Sequence, residues 1–552
     1  MTDSRAAGIL KKAGQCFSVF EPWRQLSQDI AENFYPMRAD FTQDLQLQSF
    51  ASTLMDGTAL NARETLGNAI DAMLRQGNWF KVGTGDKDRD ERPANSRALQ
   101  RSTDVLFSAI HDRRSNWSAA IKEADMDWVS FGNPVMSVEE SSTRDYVLFR
   151  AWHPKDCAWV IDEENRLQTF YRKMMIPAWE IMRKVDRGIW KGTVSQDIRT
   201  AADKEPLRAF EIMHCMMPAD EIYGSDGAKM RELSKDNHRF ISTYLDVGGQ
   251  TLLSDKGSPV FMYVAPRLRT LGRRPYGLSP YALNSIADSR MLQDMALVII
   301  EQGQKAVDPP TIGAQQVFSR DMNLFAGGHT EIDLGEGQKI GDVFTTVDTG
   351  QRLNEGLVLK QDVRMMISEA WLLNKLMLPT LRDMREVEVM VRTEEFRRAA
   401  LPFFQPIEQN YSAQVLSMAW DVTINMGRIT PEMFPPELRD RGIEFSFESP
   451  LNEAEGRKIV EGYFAELQIL AAGAQADQTV NNIYDVRAAA ERAIIANGGG
   501  KNLVPEDQRK AKEEEAATQA ELAKSAQLAN AAAGTVANMA GAKVAAEQAG
   551  MI

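Results

Sequence analysis

The stretch SPYALNSIADSRMLQDMALVIIEQGQKAVDPP, residues 279–310, predicts one long helix with a defined start and end. Ser279 is suited to cap the first turn, and Pro280 follows at a position where its missing N–H costs nothing. Two sets of residues, one apolar and one polar, then recur at helical spacing on different faces: Leu283, Ala287, Met291, Met295 and Val298, and Ser285, Asp288, Ser289 and Asp294. About 25 helical residues give a rod of roughly 37 Å, which is long for an element inside one compact domain.

A second helix is predicted from about Gln351 to Leu373. Its apolar stripe comprises Val363, Met366, Ile367, Ala370 and Trp371. Between the two helices, residues 308–350 have a different character, because repeated glycines separate short runs such as 330–334 and 343–347. Such punctuation is typical of a small β-rich module. The middle of the chain is therefore predicted to be helix, β module, helix.

Length and charge restrict the class of protein. The 552 residues exceed what one core normally holds, so we expect several domains or one elongated subunit of several parts. The net charge of −13 argues against a basic surface that wraps nucleic acid, although it allows DNA to pass without being gripped. Apolar runs are too short for a membrane span, and the first residues, MTDSRAAGILKKAGQ, lack the apolar core of a signal peptide. We expect no membrane association.

Residues 1–278 read as an α+β region. Helical periodicity covers 22–39, 60–74 and one long stretch, 96–131, and residues 84–93 form a charged loop that is more simply solvated than metal-binding. Strand-like runs follow in PVMSVEE, DYVLFRAW, DCAWVID and LQTFYRKMMI, with a turn at 162–166, a short helix from Pro177 to Val185 and further short strands in 190–265. The tryptophans in apolar surroundings are predicted to be core residues: Trp79, Trp128, Trp159 and Trp371.

The remainder of the chain is predicted to be mostly helical. A loop with Pro379 occupies 374–384, and a helix bent near Pro402 and Pro406 occupies 385–426, because proline removes a backbone donor and crowds the preceding turn. A turn-rich connector, ITPEMFPPELRDRG, leads to a helical stretch, 452–497, with a break at Gly473. The alanine-rich end from Pro505 favours helix but offers few large apolar anchors.

Motifs for catalysis, metals and cofactors are missing from the sequence. Asn497-Gly-Gly-Gly500-Lys501 does not have the spacing of a phosphate-binding loop, and Asn502 stands where Ser or Thr would hold Mg²⁺. His214 and Cys215 are neighbours on a predicted strand, so they point to opposite faces. Cys16, Cys157 and Cys215 are widely spaced, which makes a disulfide framework or zinc site improbable and fits a reducing cytoplasm. We therefore expect no catalytic residue, no metal and no cofactor.

Several short motifs occur in a recognisable order. They are Gly77-Asn78-Trp79-Phe80, Phe131-Gly132-Asn133-Pro134-Val135, the segment from His153-Pro154 to Tyr171-Arg172, Arg274-Pro275-Tyr276-Gly277-Leu278-Ser279-Pro280, and Asp308-Pro309-Pro310. In this order, and with the helix–module–helix arrangement, the chain resembles the portal, or head-to-tail connector, proteins of tailed bacteriophages, especially short-tailed phages. The resemblance covers nearly the whole chain and departs from familiar relatives in the loop residues and the C-terminal length.

The resemblance implies a predominantly helical α+β subunit with a fixed order of parts. These would be a wing (1–278), a stem helix (279–307), a clip (308–350), a second stem helix (351–373), a tunnel loop (374–384), a bent wing helix with its connector (385–449), and a helical crown with an alanine-rich tail (450–552). In the tunnel loop it places Lys375, Arg382 and Arg385 near DNA, although they also read as ordinary solvated charges at helix ends. The stem and subunit packing would be carried by Met291, Met295, Val298, Met366, Ile367 and Trp371.

The resemblance also implies partners and a location. Because two protruding rods cannot bury their faces within one subunit, they need neighbours, and a closed ring satisfies every copy identically. The family pattern is a dodecameric ring at the capsid vertex of the virion, assembled in the host cytoplasm, through which double-stranded DNA passes. Expected partners are the terminase (the packaging ATPase), the tail adaptor, the major capsid and scaffolding proteins, and internal core or ejection proteins. The rival hypotheses are a non-enzymatic helical scaffold or adaptor, and a hydrolase without a recognisable motif.

Overall fold

The protein mixes helix and sheet in an α+β arrangement. A computed structural model describes residues 4–43, 54–90, 92–224, 226–235, 238–307, 311–313, 339, 344–346, 353–376, 402–439, 442–447, 460, 462–472, 484–496 and 518. Contacts divide the chain into two compact units, one comprising 1–82, 101–433 and 445–451, and the other comprising 83–100, 434–444 and 452–552.

Helices account for most of the described ranges. The α-helices are Ser4–Val19, Glu21–Phe34, Thr58–Leu74, Lys87–Asp90, Pro93–Ile110, Trp117–Phe131, Ala178–Asp186, Gln196–Lys204, Ala219–Tyr223, Gly227–Lys235, Pro280–Val307, Leu353–Ala370, Leu373–Leu376, Ala413–Asn425 and Val486–Ala496. Short 3-10 turns occur at Pro36–Arg38, Pro154–Asp156, Pro431–Met433 and Pro436–Leu438. Among the described helices, none is long and apolar enough to cross a bilayer.

The strands, in chain order, form five small sheets. They are β1 Phe80–Gly83, β2 Val135–Glu140, β3 Val147–Trp152, β4 Cys157–Ile161, β5 Leu167–Pro177, β6 Ala209–Pro218, β7 Phe240–Asp246, β8 Thr251–Ser258, β9 Tyr263–Val264, β10 Arg269–Thr270, β11 Gly277–Leu278, β12 Thr311–Gly313, β13 Phe344–Thr346 and β14 Glu444–Phe447. The largest sheet is antiparallel, in the order β4-β5-β6-β7-β8, and a second has the order β3-β2-β9. Three further pairs are β1-β14, β10-β11 and β12-β13.

The predicted strands of 135–177 are confirmed. Between β4 and β5 the chain turns as expected, because Asp162 N–H donates to the Arg166 carbonyl at 3.0 Å and Asn165 adopts φ +63°. Asn tolerates this left-handed conformation better than most residues. In 190–265 the sequence reading found β6 and β7, but it missed β8, whose residues TLLSDKGS are too polar to stand out as a strand.

The long helix predicted over 96–131 is wrong, because the structure has two helices, Pro93–Ile110 and Trp117–Phe131. The chain breaks at 111–116, where Ser115 Oγ donates to the Ile110 carbonyl at 2.6 Å and Asn116 takes φ +58°. Apolar periodicity continues across this break, so it concealed the turn. The charged loop 84–93 contains a single helical turn, Lys87–Asp90, and its Asp86 pairs with Arg89 at 3.0 Å.

The bend predicted near Pro406 coincides with a change of helix type. Residues 402–406 are α-helical, Ile407–Ser412 form a π-helical segment, and Ala413–Asn425 return to α-helix. Proline cannot donate into the helical ladder, and such a segment accommodates the lost bond. The connector is turn-rich as predicted. Residues 385–401, Gly473 and nearly all of the alanine-rich tail lie outside the described residues.

The four tryptophans predicted to be core residues are all buried. Trp79, Trp128, Trp159 and Trp371 are at most 1% exposed. Trp79 stacks on Trp117 with ring centroids 6.2 Å apart, and Trp159 stacks on Phe170 at 5.9 Å. This prediction from apolar surroundings is confirmed.

One buried ion pair lies inside the helical core. Arg75 and Asp125 are joined at 2.6 Å, and both side chains are 1% exposed. The Arg75 guanidinium also lies over the ring of Tyr411, 5.1 Å from its centroid. Burial raises the pKa of Asp125 to about 6, even though the attraction of Arg75 acts to lower it. The fold therefore tolerates this carboxylate only together with its arginine.

We expect Arg75→Met to lower the free energy of unfolding by about 3–5 kcal/mol, because Asp125 keeps its buried position and loses its partner. Removing both charges in Arg75→Met/Asp125→Leu should recover most of that loss, as measured by urea unfolding. As a control, Lys229→Met removes a surface pair with Glu232, joined at 3.0 Å, and should cost less than about 1 kcal/mol. A double variant no more stable than Arg75→Met alone would contradict this account.

Candidate functional site

Two segments far apart in sequence meet at the base of the long helix. We call this place the junction; it comprises residues 131–135 and 274–280. The Asn133 side chain closes it from one side: its Oδ1 accepts from Gly277 N–H at 3.0 Å, and its Nδ2 donates to the Gly277 carbonyl at 2.9 Å. Because Asn133 is fully buried, these two bonds leave neither backbone group of Gly277 unsatisfied.

A close backbone approach at the junction requires glycine. Gly132 ends the helix Trp117–Phe131 with φ +78°, in the left-handed region. A Cβ at this position would lie 2.5 Å from the carbonyl carbon of Leu278 and 2.8 Å from Ser279 N. Glycine therefore meets two demands here, the dihedral angle and the lack of a side chain.

Aromatic side chains hold the other segment of the junction. Trp159 Nε1 donates to the Pro275 carbonyl at 2.8 Å, and Trp23 Nε1 donates to the Gly277 carbonyl at 3.2 Å. Phe20 lies edge-on to Trp159, with centroids 4.6 Å apart. Several of the short motifs on which the family resemblance rests are thus neighbours in space, although up to 150 residues separate Val129 from Ser279.

The first rod helix, Pro280–Val307, starts directly from the junction. Ser279 Oγ donates to the Val129 carbonyl at 2.5 Å and lies 3.4 Å from Ala282 N–H, which it caps as predicted. The second rod helix, Leu353–Ala370, packs along the first, and Leu372 leaves it with φ +60°. We refer to these two helices together as the rod.

Small residues fill the seam between the two rod helices. The residues of the first rod helix that face inward are Ala282, Ser285, Ser289, Leu292 and Ala296; those of the second are Val363, Ile367 and Trp371. Trp371 Nε1 donates to Ser285 Oγ at 2.9 Å, and Ser285 Oγ donates to the Tyr281 carbonyl at 2.8 Å. The serines predicted to lie on a separate polar face are therefore buried, because a close helix contact selects small side chains.

Large apolar side chains of the rod lie outside this seam. Met291, Val298 and Met366 are 42%, 56% and 50% exposed. They belong to a wider exposed set that includes Leu297, Ile300, Leu357, Val358, Leu359 and Met365. We call this set the exposed rod face. Met295 is half-buried, whereas Ile367 and Trp371 are fully buried within the subunit.

An ion cluster fastens the rod to the helical core. Asp56 binds Arg364 at 2.7 Å and Lys360 at 3.0 Å, both from the second rod helix. Gln293 of the first rod helix accepts from the backbone N–H groups of Met55 and Asp56 at 2.7 and 2.9 Å. Burial alone would raise the pKa of Asp56, but hydrogen bonds from Thr58, Arg364 and Lys360 hold it well below its usual value. Asp56 therefore remains a carboxylate, and the cluster spans both helices.

The other predicted site residues are only partly described. Lys375 lies in the short helix Leu373–Leu376, while Arg382 and Arg385 lie outside the described residues. Of the module 308–350, β12 and β13 form an antiparallel pair with Thr311 opposite Thr346. The second strand matches the predicted run 343–347, and the run 330–334 is not among the described residues.

Metal and thiol chemistry have little support in the described ranges. These ranges contain no group of three or more His, Cys, Asp or Glu side chains placed to hold a metal ion. Cys16, Cys157 and Cys215 are free and buried, and burial raises the pKa of each thiol, for Cys16 to about 12. His214 is buried between Tyr263 OH at 2.5 Å and Ser242 Oγ at 2.8 Å, and burial lowers its pKa well below the usual value.

Comparison with protein families gives one match. Residues 6–504 match the family described as bacteriophage head to tail connecting protein. This range contains the junction and the rod. A comparison with curated individual proteins found no match.

We expect Gly132→Ala to destabilise the protein far more than Gly188→Ala. Both glycines have positive φ, +78° and +67°, but nothing lies within 4 Å of a Cβ at Gly188. The control should therefore lose only the cost of a left-handed alanine, about 1–2 kcal/mol, whereas Gly132→Ala must also push the Leu278 backbone away. Thermal unfolding of both variants measures the difference; equal losses would show that the junction is not close-packed.

Proposed function

The chain belongs to the family of bacteriophage head to tail connecting proteins, and we propose that its copies form a closed ring around a DNA channel at the capsid vertex. In this role the protein is a structural part of the virion. The proposed ring is a dodecamer of the short-tailed phage type, used for DNA packaging and later for DNA ejection. The role is non-enzymatic, with the chemistry of packaging supplied by a separate ATPase.

The observation that carries this proposal is the exposed rod face. Nine large apolar side chains of the two rod helices are between 42% and 63% exposed in the single subunit. Burial of apolar surface contributes about 25 cal/mol per Å², so a neighbour that covers this face stabilises the assembly substantially. Apolar side chains are exposed on both rod helices, which suits a head-to-tail contact repeated around a closed ring.

The parts of the subunit follow from this arrangement. We assign residues 279–307 and 351–373 to the stem and 308–350 to the clip, with the β12–β13 pair supporting the β-rich character of the clip. The wing comprises 1–278 together with 385–449, and the crown comprises 450–552. The tunnel loop, 374–384, follows the second stem helix.

The charge of the rod suits a duplex that slides. The two rod helices carry six acidic residues and four basic ones: Asp288, Asp294, Glu301, Glu355, Asp362 and Glu369, and Arg290, Lys305, Lys360 and Arg364. A channel wall with an excess of carboxylates repels phosphates, so DNA is not held along its length. The proposed DNA-facing cations are those of the tunnel loop, Lys375, Arg382 and Arg385.

The proposed partners follow the order of assembly. Scaffolding and major capsid proteins surround the ring during head formation, and the terminase then docks on the clip. After packaging, the tail adaptor takes the same surface, and internal core or ejection proteins contact the crown. Terminase and adaptor compete for one surface, so their binding is mutually exclusive.

We expect Val298→Asp/Met366→Asp to prevent ring formation while each subunit stays folded, because both changes put charge into the proposed interface without touching the seam. Mass photometry should show wild-type rings and variant monomers, and negative-stain images of the wild type should show a central hole.

The matched control for this experiment is Leu207→Asp, which changes a side chain that is 79% exposed and outside the rod. It should form rings normally. Rings of unchanged size from the double variant would refute the interface, and wild-type monomers at all concentrations and salts would favour a scaffold or adaptor protein instead.

We expect Lys375→Ala/Arg382→Ala/Arg385→Ala to change how much DNA filled heads retain, with ring stability nearly unchanged. A cation that faces the channel contacts phosphates weakly and without sequence preference, so its loss affects translocation more than folding. Ring melting and the genome content of filled heads are the two measurements. A lower melting temperature with normal packaging would identify these residues as helix-end charges instead.

A further inference from the structure

A hairpin beside the junction carries an unusual run of arginines. We call it the arginine hairpin, residues 267–278, in which β10 pairs with β11. It holds Arg267, Arg269, Arg273 and Arg274, and it contains no acidic residue. The last three are exposed and Arg267 is half-buried. None of the four forms an ion pair with any carboxylate of the described residues. In a chain of net charge −13, this concentration of unneutralised positive charge requires an explanation.

The hairpin holds its charges on a rigid base. Arg267 Nη1 donates to the Arg274 carbonyl at 2.8 Å, and Arg274 Nη1 donates to Tyr276 OH at 3.0 Å. Leu268 N–H donates to the Gly132 carbonyl at 2.9 Å, which ties the hairpin to the junction. Arginines that are already positioned lose less conformational entropy when they bind an anion.

The surroundings leave this positive charge uncancelled. Arg267 and Thr270 line a cavity of about 810 Å³, whose polar lining also includes the amide side chains of Asn410 and Gln414. The carboxylate in this lining, Glu164, is held by Arg166 at 3.3 Å. The hairpin therefore stays cationic on the side that faces the cavity.

We propose that the arginine hairpin binds the phosphate backbone of duplex DNA, as a contact separate from the tunnel loop. This inference rests on the proposed function, in which DNA passes through the ring. Three exposed guanidinium groups within six residues can each form paired hydrogen bonds to phosphate oxygens. Contacts of this kind position a duplex without reading its sequence.

The hairpin is less suited to an acidic protein surface. Within it, Leu271 is the exposed large apolar side chain, and it is 48% exposed. Stable protein interfaces need a buried core of apolar or aromatic anchors, which one leucine does not provide. Phosphate binding needs no such core. The geometry therefore favours DNA as the occupant.

The test is binding of a short fluorescein-labelled DNA duplex to purified rings, followed by fluorescence anisotropy across a range of salt concentrations. Arg269→Gln/Arg273→Gln/Arg274→Gln should weaken binding roughly tenfold or more and flatten the salt dependence, since each phosphate contact contributes about 0.9 to the slope of log K against log salt. The lysine variant, Arg269→Lys/Arg273→Lys/Arg274→Lys, should keep most of the affinity because it keeps the charge.

The matched control is Arg183→Gln/Arg187→Gln/Arg199→Gln, which removes the same charge from exposed positions outside the hairpin. It should leave the affinity and the slope nearly unchanged. An equal loss in the control and the hairpin variant would overturn the proposal, as would unchanged binding by the hairpin variant.

A polyglutamate competitor identifies the class of partner. If it displaces the duplex at an equal charge concentration, the hairpin is a docking surface for acidic proteins and the DNA proposal is wrong. Mass photometry of each sample reports ring formation separately, so a failure of the proposed ring is distinguishable from a failure of the DNA contact. If the triple glutamine variant does not assemble, Arg269→Gln alone should still reduce the slope by about 0.9.

Discussion

The close contact of Gly132 with Leu278 and Ser279 is the constraint on which the rest of the structure depends. It joins the end of a core helix to the start of the rod, and the side chain of Asn133 satisfies the backbone of Gly277 at the same point. Because backbone atoms meet directly, the direction of the first rod helix is fixed by groups that have no rotamer freedom. The ion cluster at Asp56 then holds the second rod helix against the same core.

The sequence predicts those elements whose patterns are local. Alternation in β2 to β5, the turn at 162–166 and the serine cap at Ser279 depend on neighbouring residues, and the structure contains all of them. Elements that depend on distant partners are missed. The polar strand β8 is held by its pairing with β7, and β14 is held by β1, more than 350 residues away. Apolar periodicity also runs through the break at 111–116, where only turn chemistry stops the helix.

The rod shows the limit of pattern reading at the candidate site. Its apolar residues were identified, but the pattern does not reveal that Ser285 and Ser289 face inward while Met291 and Val298 face outward. A helix pair that approaches closely selects small residues, whereas large apolar residues suit a looser contact with a partner. Periodicity measures hydrophobicity and not the distance to the neighbour, so it reverses the two faces. The anchors Asp56 and Gln293 carry no local pattern, since their partners lie on other segments.

The three buried thiols have a practical consequence. A thiol reacts with oxidants and alkylating reagents as its thiolate, and burial holds Cys16, Cys157 and Cys215 in the neutral form. A particle that leaves a reducing cell for an oxidising medium therefore keeps these positions chemically unchanged. The native chain also supplies a silent background for labelling: a cysteine introduced at an exposed surface position becomes the reactive thiol, without the replacement of any natural residue. Distances between copies in an assembly can then be measured on an otherwise unaltered protein.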